Sequence, residues 1–552
     1  MILWSLFSLF EANSVAAPLD ANFLYFVLVD RFHNGDPSND GQTDPQDLQA
    51  FHGGDLAGLT QKLDYLQSLG VDTIWTSPTF AMRTEKFHGY GAFHGYWITH
   101  LDSIEPRFGG DQALQQLAIE TKNREMNLVL DMVYNHVSFD SPMREAHPDW
   151  FHPYPSITDW NDPFQLTHHS VHGLPDLNQN RPPVYNYLLH RSLYWKEQTD
   201  IAGYRIDAIR HIHPEFTAKI SSELHQKTDL WLLGEDFQGN PSALIERAQQ
   251  SGLDALFDFP MYYALAESFC DAKGAAPVAS ILSMDSYYPE DFQLVRFLDN
   301  HDVPRIVTRC NEDVSRARHA LFFLFSIRGI PMLTYGTEGW LSGGHEPENR
   351  KDMPWEALSE EEMIRSLSTL RKQHPVLRDG TGQILTFSQD KLVYQQSHQG
   401  EIALYIHNWS DVEYVPSLPS YINSPDEVWL LTDRLQKTTD LRLPPHSSML
   451  LLDKTTVAAS ESVTLTVSVS GDPSDSLLLV GNLPEIGGWK PEEGALFSHD
   501  GKQWTVSITV PQGSVLSCKL VRKMEGSYQW EDGENHILWG DKNTSIVLDS
   551  RL

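Results

Sequence analysis

The sequence has few cysteines, few positive charges and no long apolar run. Its three cysteines, Cys270, Cys310 and Cys518, suggest neither a metal-ligand cluster nor a disulfide framework, so they say nothing about the cellular compartment. No later apolar run reaches the roughly 18 residues of a membrane-spanning helix. With 41 Lys and Arg against 74 Asp and Glu, the formal net charge is −33. Such a chain would repel nucleic acids and anionic membranes, and we expect neither as a partner.

The N-terminal segment is mainly apolar. Residues 1–10 form a short apolar run that is followed by Val-Ala-Ala at 15–17. This resembles the end of a secretory signal, although the segment lacks a basic start and carries Glu11. We therefore interpret 1–17 as a signal-like segment and expect a secreted or periplasmic protein.

Residues 18–383 alternate short apolar strands with amphipathic helices. The helical stretches include Leu56–Leu69, which ends at Gly70, and Leu114–Met126. Eight strands with helices between them predict an α/β fold, a closed (β/α)₈ TIM barrel. The predicted strands are Phe23–Val29, Val71–Thr76, Asn127–Val133, Ala202–Ala208, Leu230–Leu233, Ala255–Phe259, Leu294–Leu298 and Ile330–Thr334.

One connection in this barrel is much longer than the others. About 45 residues rich in Pro, His, Asp and Asn separate the third strand from a helix near Val184, and they are too irregular for an ordinary loop. We predict a small inserted domain at 137–182. From 384 to 453 the pattern changes to strands alone, which predicts a β-sandwich. A Thr/Ser/Ala-rich join at 454–462 then leads to a second all-β unit at 456–552.

Polar clusters follow four of the predicted strands, at the end of the barrel where catalytic residues gather. Arg205 and Asp207 are two residues apart on the fourth strand, so both side chains point to one face, where the guanidinium would keep the carboxylate ionised. An isolated pair of this kind is usually a structural ion pair. Four clusters on one rim indicate more, because carboxylates surrounded by His and Arg are suited to glycoside hydrolysis. The clusters are Asp131–His136, Arg205/Asp207, Gly234–Asp236 and Asp299–Asp302.

These clusters resemble the motifs of the α-amylase family, glycoside hydrolase family 13, over nearly all of residues 22–453. The sequences DMVYNH, GYRIDAIRH, GED and FLDNHD occur in the family's order and on the corresponding strands. The resemblance implies a retaining hydrolase in which Asp207 is the nucleophile. Glu235 would be the general acid and then the base, with a pKa raised by burial and neighbouring carboxylates. Asp302 would bind sugar hydroxyls and favour the distorted sugar.

The resemblance also implies a set of substrate-binding residues. His136, His301 and, by stacking, Tyr96 would hold the sugar on the non-reducing side of the cleaved bond. Arg350 and Glu346 match a family pair that reaches a sugar further along. The complete set of candidates is His94, Tyr96, Trp97, His136, Arg205, Arg210, His211, His301, Glu346 and Arg350.

Three positions depart from the family pattern. Arg210 stands where many α-amylases have Lys, and Arg is not an equivalent donor. Glu346 replaces an Asp, and Phe93 replaces a Tyr. The catalytic assignment is unaffected, but these changes leave the preferred bond and the product size open.

Two calcium sites are implied, since this hard cation prefers oxygen ligands on irregular loops. The family's first site corresponds here to Asn135, Asp176 and the backbone carbonyl of His211. The second candidate is an Asn/Asp-rich turn that resembles a calcium loop of cyclodextrin glucanotransferases and some cyclomaltodextrinase relatives, although such a turn is often only a turn. Its residues are Asn34, Asp36, Asn39, Asp40, Gly53 and Asp55.

The C-terminal unit resembles a family 20 starch-binding module, through the segments 478–491 and 528–535. Trp489 and Trp530 would form a flat platform for two consecutive glucose rings. Lys519 and Asn535 would hydrogen-bond the hydroxyls of those rings. A tryptophan is otherwise most often a largely buried core residue, but the matching segments around both residues favour a binding role.

Together these features predict a monomeric, calcium-binding, retaining endo-α-amylase. Its partners would be starch, maltooligosaccharides or related α-glucans cleaved at α-1,4 bonds. The alternative is a cyclodextrin glucanotransferase-like transglycosylase or a cyclomaltodextrinase/neopullulanase-type hydrolase, which the turn at Asn34 and the stretch 349–355 favour. A non-catalytic starch-binding protein is the third possibility, and the intact Asp207, Glu235 and Asp302 argue against it.

Overall fold

The computed structural model describes residues 19–422, 424–457, 461–471 and 476–550. The signal-like segment predicted at 1–17 lies outside these residues, as does part of the join at 454–462. Eight parallel strands form a closed barrel in chain order, and β8 pairs with β1 to close it, which confirms the predicted fold class. The strands are β1 (Leu24–Val27), β2 (Thr73–Thr76), β3 (Asn127–Met132), β4 (Gly203–Ile206), β5 (Trp231–Gly234), β6 (Ala255–Phe257), β7 (Gln293–Phe297) and β8 (Ile330–Thr334).

Most of the strands are shorter than the apolar runs that predicted them. The reason is that loop residues next to a strand also stay buried: Leu28 and Val29 follow β1 at 0% exposure, although the chain already turns into a helix there. Burial therefore extends the apolar run past the last paired residue.

Helices follow most barrel strands, and several have only one turn. The predicted helix Leu56–Leu69 divides at Lys62, and the predicted Leu114–Met126 lies at Gly110–Asn123. The helices are α1 (Val29–Phe32), α2 (Leu56–Gln61), α3 (Leu63–Leu69), α4 (Gly110–Asn123), α5 (Met143–Ala146), α6 (Pro163–His168), α7 (Pro182–Thr199), α8 (Pro214–Lys227), α9 (Pro241–Gln250), α10 (Phe259–Leu265), α11 (Ala276–Leu282), α12 (Ile306–Arg309), α13 (Val314–Ser326), α14 (Glu361–Gln373) and α15 (Val376–Asp379).

The long insertion after β3 is irregular apart from α5, α6 and short 3₁₀ turns. Single β-bridges close it on itself and on the barrel. His136 pairs with Asp176, and Phe151 pairs with Leu177. The end of the insertion is therefore held beside the end of β3.

Residues 381–453 form one six-stranded antiparallel sheet in the order β13-β12-β14-β11-β10-β9. Alternate residues of its strands join two different hydrophobic clusters, as the two-residue period of a strand dictates. Tyr405 belongs to the cluster shared with the barrel, whereas Leu404 packs against non-strand residues such as Ile422 and Leu443. Among the described residues, loops thus cover the outer face of this one sheet, in the place of the second sheet that the predicted β-sandwich would have. The strands are β9 (Thr381–Ser388), β10 (Lys391–His398), β11 (Glu401–Asn408), β12 (Glu427–Leu431), β13 (Leu435–Lys437) and β14 (Ser447–Asp453).

The C-terminal unit contains a four-stranded and a five-stranded sheet. Its core residues, such as Leu465 and Ile486, belong to the same continuous hydrophobic cluster as the barrel core. The unit is therefore packed onto the barrel. Its strands are β15 (Ser462–Ser470), β16 (Ser476–Gly481), β17 (Ala495–Leu496), β18 (Ser498–His499), β19 (Gln503–Pro511), β20 (Ser514–Met524), β21 (Ser527–Trp530), β22 (His536–Gly540) and β23 (Thr544–Leu548).

The cysteine pairing in the structure differs from the prediction. Cys270 and Cys310 are joined in a disulfide, whereas their spacing suggested none, because the fold brings together residues that are 40 positions apart. Cys518 is free and buried. Within the described ranges, no helix combines the length and apolarity that crossing a membrane demands.

Candidate active site

A single buried arginine connects three carboxylates at the mouth of the barrel. Arg205, on β4, is 1% exposed. Its Nη1 lies 2.6 Å from Asp207 Oδ1 and 2.8 Å from Asp131 Oδ1, while its Nη2 lies 2.8 Å from Glu235 Oε1. Charge-assisted bonds of this kind are strong and directional in a dry site. The guanidinium therefore fixes the positions of three acidic side chains from three strands.

Asp131 is the most deeply buried of the three carboxylates that contact Arg205. The carboxylate, at the end of β3, accepts hydrogen bonds from the Tyr96 hydroxyl at 2.9 Å and from the Trp75 indole at 3.2 Å. Burial raises the pKa of Asp131, and the charge of Arg205 opposes that rise. In the sequence, Asp131 stands only as the first residue of the cluster Asp131–His136, with no role of its own. The signal that could have revealed it is its place on the strand beside Arg205.

Glu235 lies directly after β5 and is 7% exposed. Its Oε2 accepts a hydrogen bond from the backbone N–H of Ala208 at 3.0 Å. Burial, together with the charges of Asp207 and Asp302, raises the pKa of Glu235 to about 8, although Arg205 acts in the opposite direction. The raised pKa predicted from the sequence is therefore present, and burial is its main cause.

Asp302 is the exposed member of the group. Its carboxylate lies 3.3 Å from Arg350 Nη2 and 3.3 Å from His301 Nε2. Arg350 also binds Glu346 at 2.8 Å and the His301 carbonyl at 2.8 Å. The predicted Arg350–Glu346 pair is thus formed, and it adjoins Asp302 at an open part of the site.

Aromatic rings form one wall of the site. The rings of Tyr96 and His301 are stacked with centroids 5.0 Å apart, and His94 stacks on Tyr96 at 5.9 Å. His136 Nε2 lies 3.1 Å from the Tyr96 carbonyl oxygen, and Trp97 packs edge-on against His94 at 4.9 Å. Burial lowers the pKa of His94, His136 and His301. The wall therefore presents neutral hydrogen-bonding groups near neutral pH.

Two residues with exposed aromatic side chains, not predicted from the sequence, contact His211 and Arg210. Trp160 of the insertion is 44% exposed, and Phe237, two residues after Glu235, is 40% exposed. The Trp160 ring packs edge-on against the His211 ring with centroids 5.7 Å apart. The Phe237 carbonyl accepts a hydrogen bond from Arg210 at 3.0 Å. His211 therefore lies next to one exposed ring, and Arg210 is bonded to the backbone of a residue that carries another. We name Trp160 and Phe237 the aromatic ledge.

The residues of the first calcium candidate are brought together. One end of the Asn135 side-chain amide lies 2.9 Å from the His211 carbonyl and 3.3 Å from Asp176 Oδ1. With nitrogen at that end, the amide donates to both groups; with oxygen there, three oxygens converge, and a cation would have to hold them together. Asp176 Oδ2 also lies 2.7 Å from His152 Nδ1, and burial raises the pKa of Asp176 to about 6.

The second candidate is only partly suited to a cation. The amide oxygens of Asn34 and Asn39 are buried and have no hydrogen-bond partner among the described residues. Asp55, however, accepts bonds from Gly58, Gly35 and Asn39 and caps α2. The Asp36 carboxylate instead bonds its neighbour Ser38. Gly53, with φ +95°, leaves room against Asn34 and Asp40, where a Cβ would lie 2.8 Å from Asn34 Nδ2.

The two tryptophans of the C-terminal unit lie side by side. The Trp489 and Trp530 ring centroids are 6.4 Å apart at an interplanar angle of 30°, and Trp530 is 38% exposed. Lys519 Nζ donates to the carbonyl of Glu531 at 3.0 Å, and Asn535 donates to Ser517 at 2.9 Å. In this arrangement Lys519 supports the loop behind Trp530.

Comparison with protein families agrees with this geometry. The family model described as alpha amylase, catalytic domain, matches residues 26–381, which contain the barrel from the middle of β1 onward and every acidic residue of the site. The chain belongs to this alpha-amylase family. A second family model, the starch binding domain, matches residues 460–546. The protein is therefore an amylase-family glycoside hydrolase with a C-terminal starch-binding domain.

Several curated relatives and solved structures resemble this family member. A cyclomaltodextrin glucanotransferase of Klebsiella oxytoca is 28% identical over 93% of this chain and 91% of its own length. An intracellular maltogenic amylase of Bacillus subtilis is 30% identical over 73% and 71%. The structure of an Anoxybacillus alpha-amylase superposes with a TM-score of 0.72 at 31% identity, covering 79% of this chain and 98% of that one.

The pKa of Glu235 leads to a prediction about its protonation. The carboxyl should stay protonated at neutral pH and lose its proton as the pH rises through about 8. An unfolded Glu has a pKa of about 4.3. Between that pH and the pKa of about 8 in the folded protein, the folded state binds one more proton than the unfolded state, so the free energy of unfolding falls as the pH rises through this range. Infrared spectra of wild type minus Glu235→Gln should show the protonated-carboxyl band disappearing near pH 8. Loss of the band below pH 6 would contradict the prediction.

Proposed function

We propose that this family member cleaves α-1,4-glucosidic bonds of starch-type glucans with retention of configuration and transfers glucosyl groups to sugar acceptors as well as to water. The observation that carries the proposal is the Arg205 bridge, which holds Asp207 and Glu235 on one guanidinium. A nucleophilic carboxylate and a protonated carboxylic acid are the two groups that the retaining mechanism requires.

The first chemical step would use Asp207 and Glu235 together. Asp207 attacks the anomeric carbon and forms a glycosyl ester, while Glu235 gives its proton to the departing glycosidic oxygen. A pKa of about 8 keeps that proton available at neutral pH. In the second step Glu235 takes a proton from the incoming hydroxyl, and Asp207 leaves. Asp302 and the Tyr96–His301 wall would hold the sugar throughout.

The choice between water and a sugar acceptor depends on what binds after the first product leaves. The aromatic ledge offers two exposed rings beside Arg210 and His211, and such rings stack on sugars. An acceptor bound there would compete with water. The relatives named cyclomaltodextrin glucanotransferase and maltogenic amylase favour the same conclusion. They support the predicted alternative better than the endo-α-amylase that the sequence favoured.

Endo-hydrolysis remains the second candidate. The Anoxybacillus alpha-amylase is 31% identical, and this chain covers 98% of it. The two functions share the first chemical step and differ in the acceptor, so the products distinguish them.

Calcium is a further part of the proposal. With its amide oxygen turned to this point, Asn135 would join Asp176 and the His211 carbonyl in supplying three oxygens, and a bound Ca²⁺ would hold the insertion against the barrel beside the site. Asn34, Asn39 and Asp40 form the weaker candidate, because Asp55 already accepts several N–H groups. Among the described residues no cluster of three or more His, Cys, Asp or Glu side chains is suited to a metal. Both sites therefore depend on amide and carbonyl oxygens.

Replacement of the nucleophile is the first test. Asp207→Asn should lower kcat by far more than tenfold, because the covalent path is lost; tenfold alone corresponds to about 1.4 kcal/mol of barrier. The fold should persist, since Asp131 and Glu235 still hold Arg205. Initial rates on soluble starch and a melting curve check both points. A variant that keeps more than a tenth of wild-type kcat would refute the assignment.

The products of soluble starch decide between transfer and hydrolysis. With maltose present, chromatography should show acceptor-elongated products, and cyclic products should form without it. Trp160→Ala/Phe237→Ala should lower the ratio of transfer to hydrolysis by about tenfold, on the order of the 1–3 kcal/mol of an aromatic stacking contact. Tyr154→Ala, which removes another exposed aromatic ring of the insertion, is the matched control. Linear products alone, in both conditions, would favour the endo-α-amylase.

Removal of calcium should destabilise the protein. If Ca²⁺ at about 100 times its Kd binds the native state only, it contributes roughly 2.7 kcal/mol, so a chelator should lower the Tm and added Ca²⁺ should restore it. Asp176→Asn should abolish most of this shift, whereas Asp40→Asn tests the weaker candidate. Identical melting curves with and without chelator, and no calcium in the purified protein, would exclude both sites.

Loss of the tryptophan platform should weaken adsorption to starch granules and leave the rate on soluble starch nearly unchanged. Trp489→Ala/Trp530→Ala removes two stacking contacts worth about 1–3 kcal/mol by analogy with bases on aromatics, which weakens granule adsorption by about tenfold to a hundredfold. The active site is untouched, so kcat on soluble starch should stay nearly constant. Leu496→Ala, at an exposed position of the same unit, is the control. Unchanged adsorption would mean that these rings are structural.

A further inference from the structure

The loop 482–490, which we name the platform loop, belongs to two surfaces at once. It presents Trp489 to Trp530 on its outer side. Its other side lies on the barrel, where Asn482 Nδ2 donates to the Ser280 carbonyl at 3.2 Å and the Ser242 hydroxyl donates to the Asn482 carbonyl at 3.1 Å. Asn482 is 2% exposed. A buried amide of this kind needs its partners, because an unpaired one is costly.

The far part of the loop is held in the same way. The Tyr287 hydroxyl donates to Glu485 Oε2 at 2.8 Å, and Lys490 Nζ lies 3.3 Å from Glu246 Oε2. At Gly488 a Cβ would lie 2.5 Å from Ser242 Oγ, so the backbone approaches helix α9 too closely for any side chain. Contacts to the barrel thus occur at both ends and near the middle of nine residues.

The backbone next to the platform is in an unfavourable conformation. Gly487, Gly488 and Trp489 have φ values of +83°, +53° and +68°. The left-handed region suits glycine but not a bulky residue such as Trp489. A conformation of this kind persists only where its surroundings enforce it, and it is often found at binding sites. The surroundings here include α9 and Tyr287 of the barrel.

We propose that the barrel holds the platform loop in its sugar-binding conformation, so that glucan binding at Trp489 and docking of the starch-binding domain on the barrel are thermodynamically coupled. The inference rests on the proposed role of Trp489 and Trp530 as the sugar platform. Coupling is reciprocal: weaker docking lowers the affinity for starch, and bound starch strengthens docking. The starch-binding domain is then a part of the catalytic unit with an affinity that the barrel tunes.

The test uses barrel residues only, so that the starch-binding domain keeps its sequence. Tyr287→Phe removes one hydroxyl, and Ser242→Ala removes another. Both changes are made in the full chain carrying Asp207→Asn, at low temperature, so that the granule stays intact during adsorption to raw starch. Gln249→Ala, at an exposed position of α9, is the matched control. Trp530→Ala in the same background reports on the platform itself.

The double variant Tyr287→Phe/Ser242→Ala should bind granules about fivefold or more weakly, as coupled sites typically do, and the control should bind like the parent. Tyr287→Phe alone keeps the ring, and it carries the test if the double variant does not fold. Parental adsorption by a folded Tyr287→Phe/Ser242→Ala protein would overturn the coupling, even if its Tm fell, because the contacts would then be only structural. Parental adsorption by Trp530→Ala would instead reject the platform, and the coupling with it.

Discussion

The site depends on one buried positive charge that is shared among acidic groups. Arg205 is almost completely buried and contacts Asp131, Asp207 and Glu235 at 2.6–2.8 Å. Three carboxylates around one guanidinium leave an excess of negative charge in a dry place, where it is costly. Retaining a proton on one carboxyl relieves that cost. Glu235 holds this proton, because its pKa is raised to about 8. The charge arrangement that destabilises the site therefore also provides the general acid.

The exposure of the acidic residues follows from the same arrangement. Asp131, Asp207 and Glu235 are held at strand ends under the rim, whereas Asp302 lies further out with Arg350 and remains open to solvent. Substrate binding would cover Asp302 and remove water from the remaining groups, which strengthens every charge interaction among them. An incoming sugar acceptor at the aromatic ledge would cover the site longer than water does. With the proposed function, the balance between transfer and hydrolysis would thus depend on surface residues outside the acidic cluster.

The sequence predicted the barrel and the acidic positions because both are encoded locally. Apolar runs mark the strands. Asp131, Asp207 and Glu235 lie within or directly after one of them, and Asp302 follows the end of β7 by five residues. Asp131 was underestimated because its role depends on a contact with Arg205, 74 residues away. The aromatic ledge was not predicted for a similar reason, because Trp160 contacts His211 only in the folded insertion. The disulfide between Cys270 and Cys310 and the packing of Asn482 on Ser280 also join distant parts of the chain, and no local pattern announces them.

In this protein the starch-binding domain is packed against the barrel and is not a freely tethered domain. A freely tethered domain would only raise the local concentration of the enzyme at a granule. Here the domain shares a continuous hydrophobic cluster with the barrel, and the Asn482–Ser280 bond joins residues 202 positions apart. If Trp489 and Trp530 bind sugar as proposed, a platform fixed in this way would present a glucan in one orientation relative to the barrel. The entropy lost by fixing the domain relative to the barrel is lost once, when the protein folds. It therefore does not oppose each binding event at a granule.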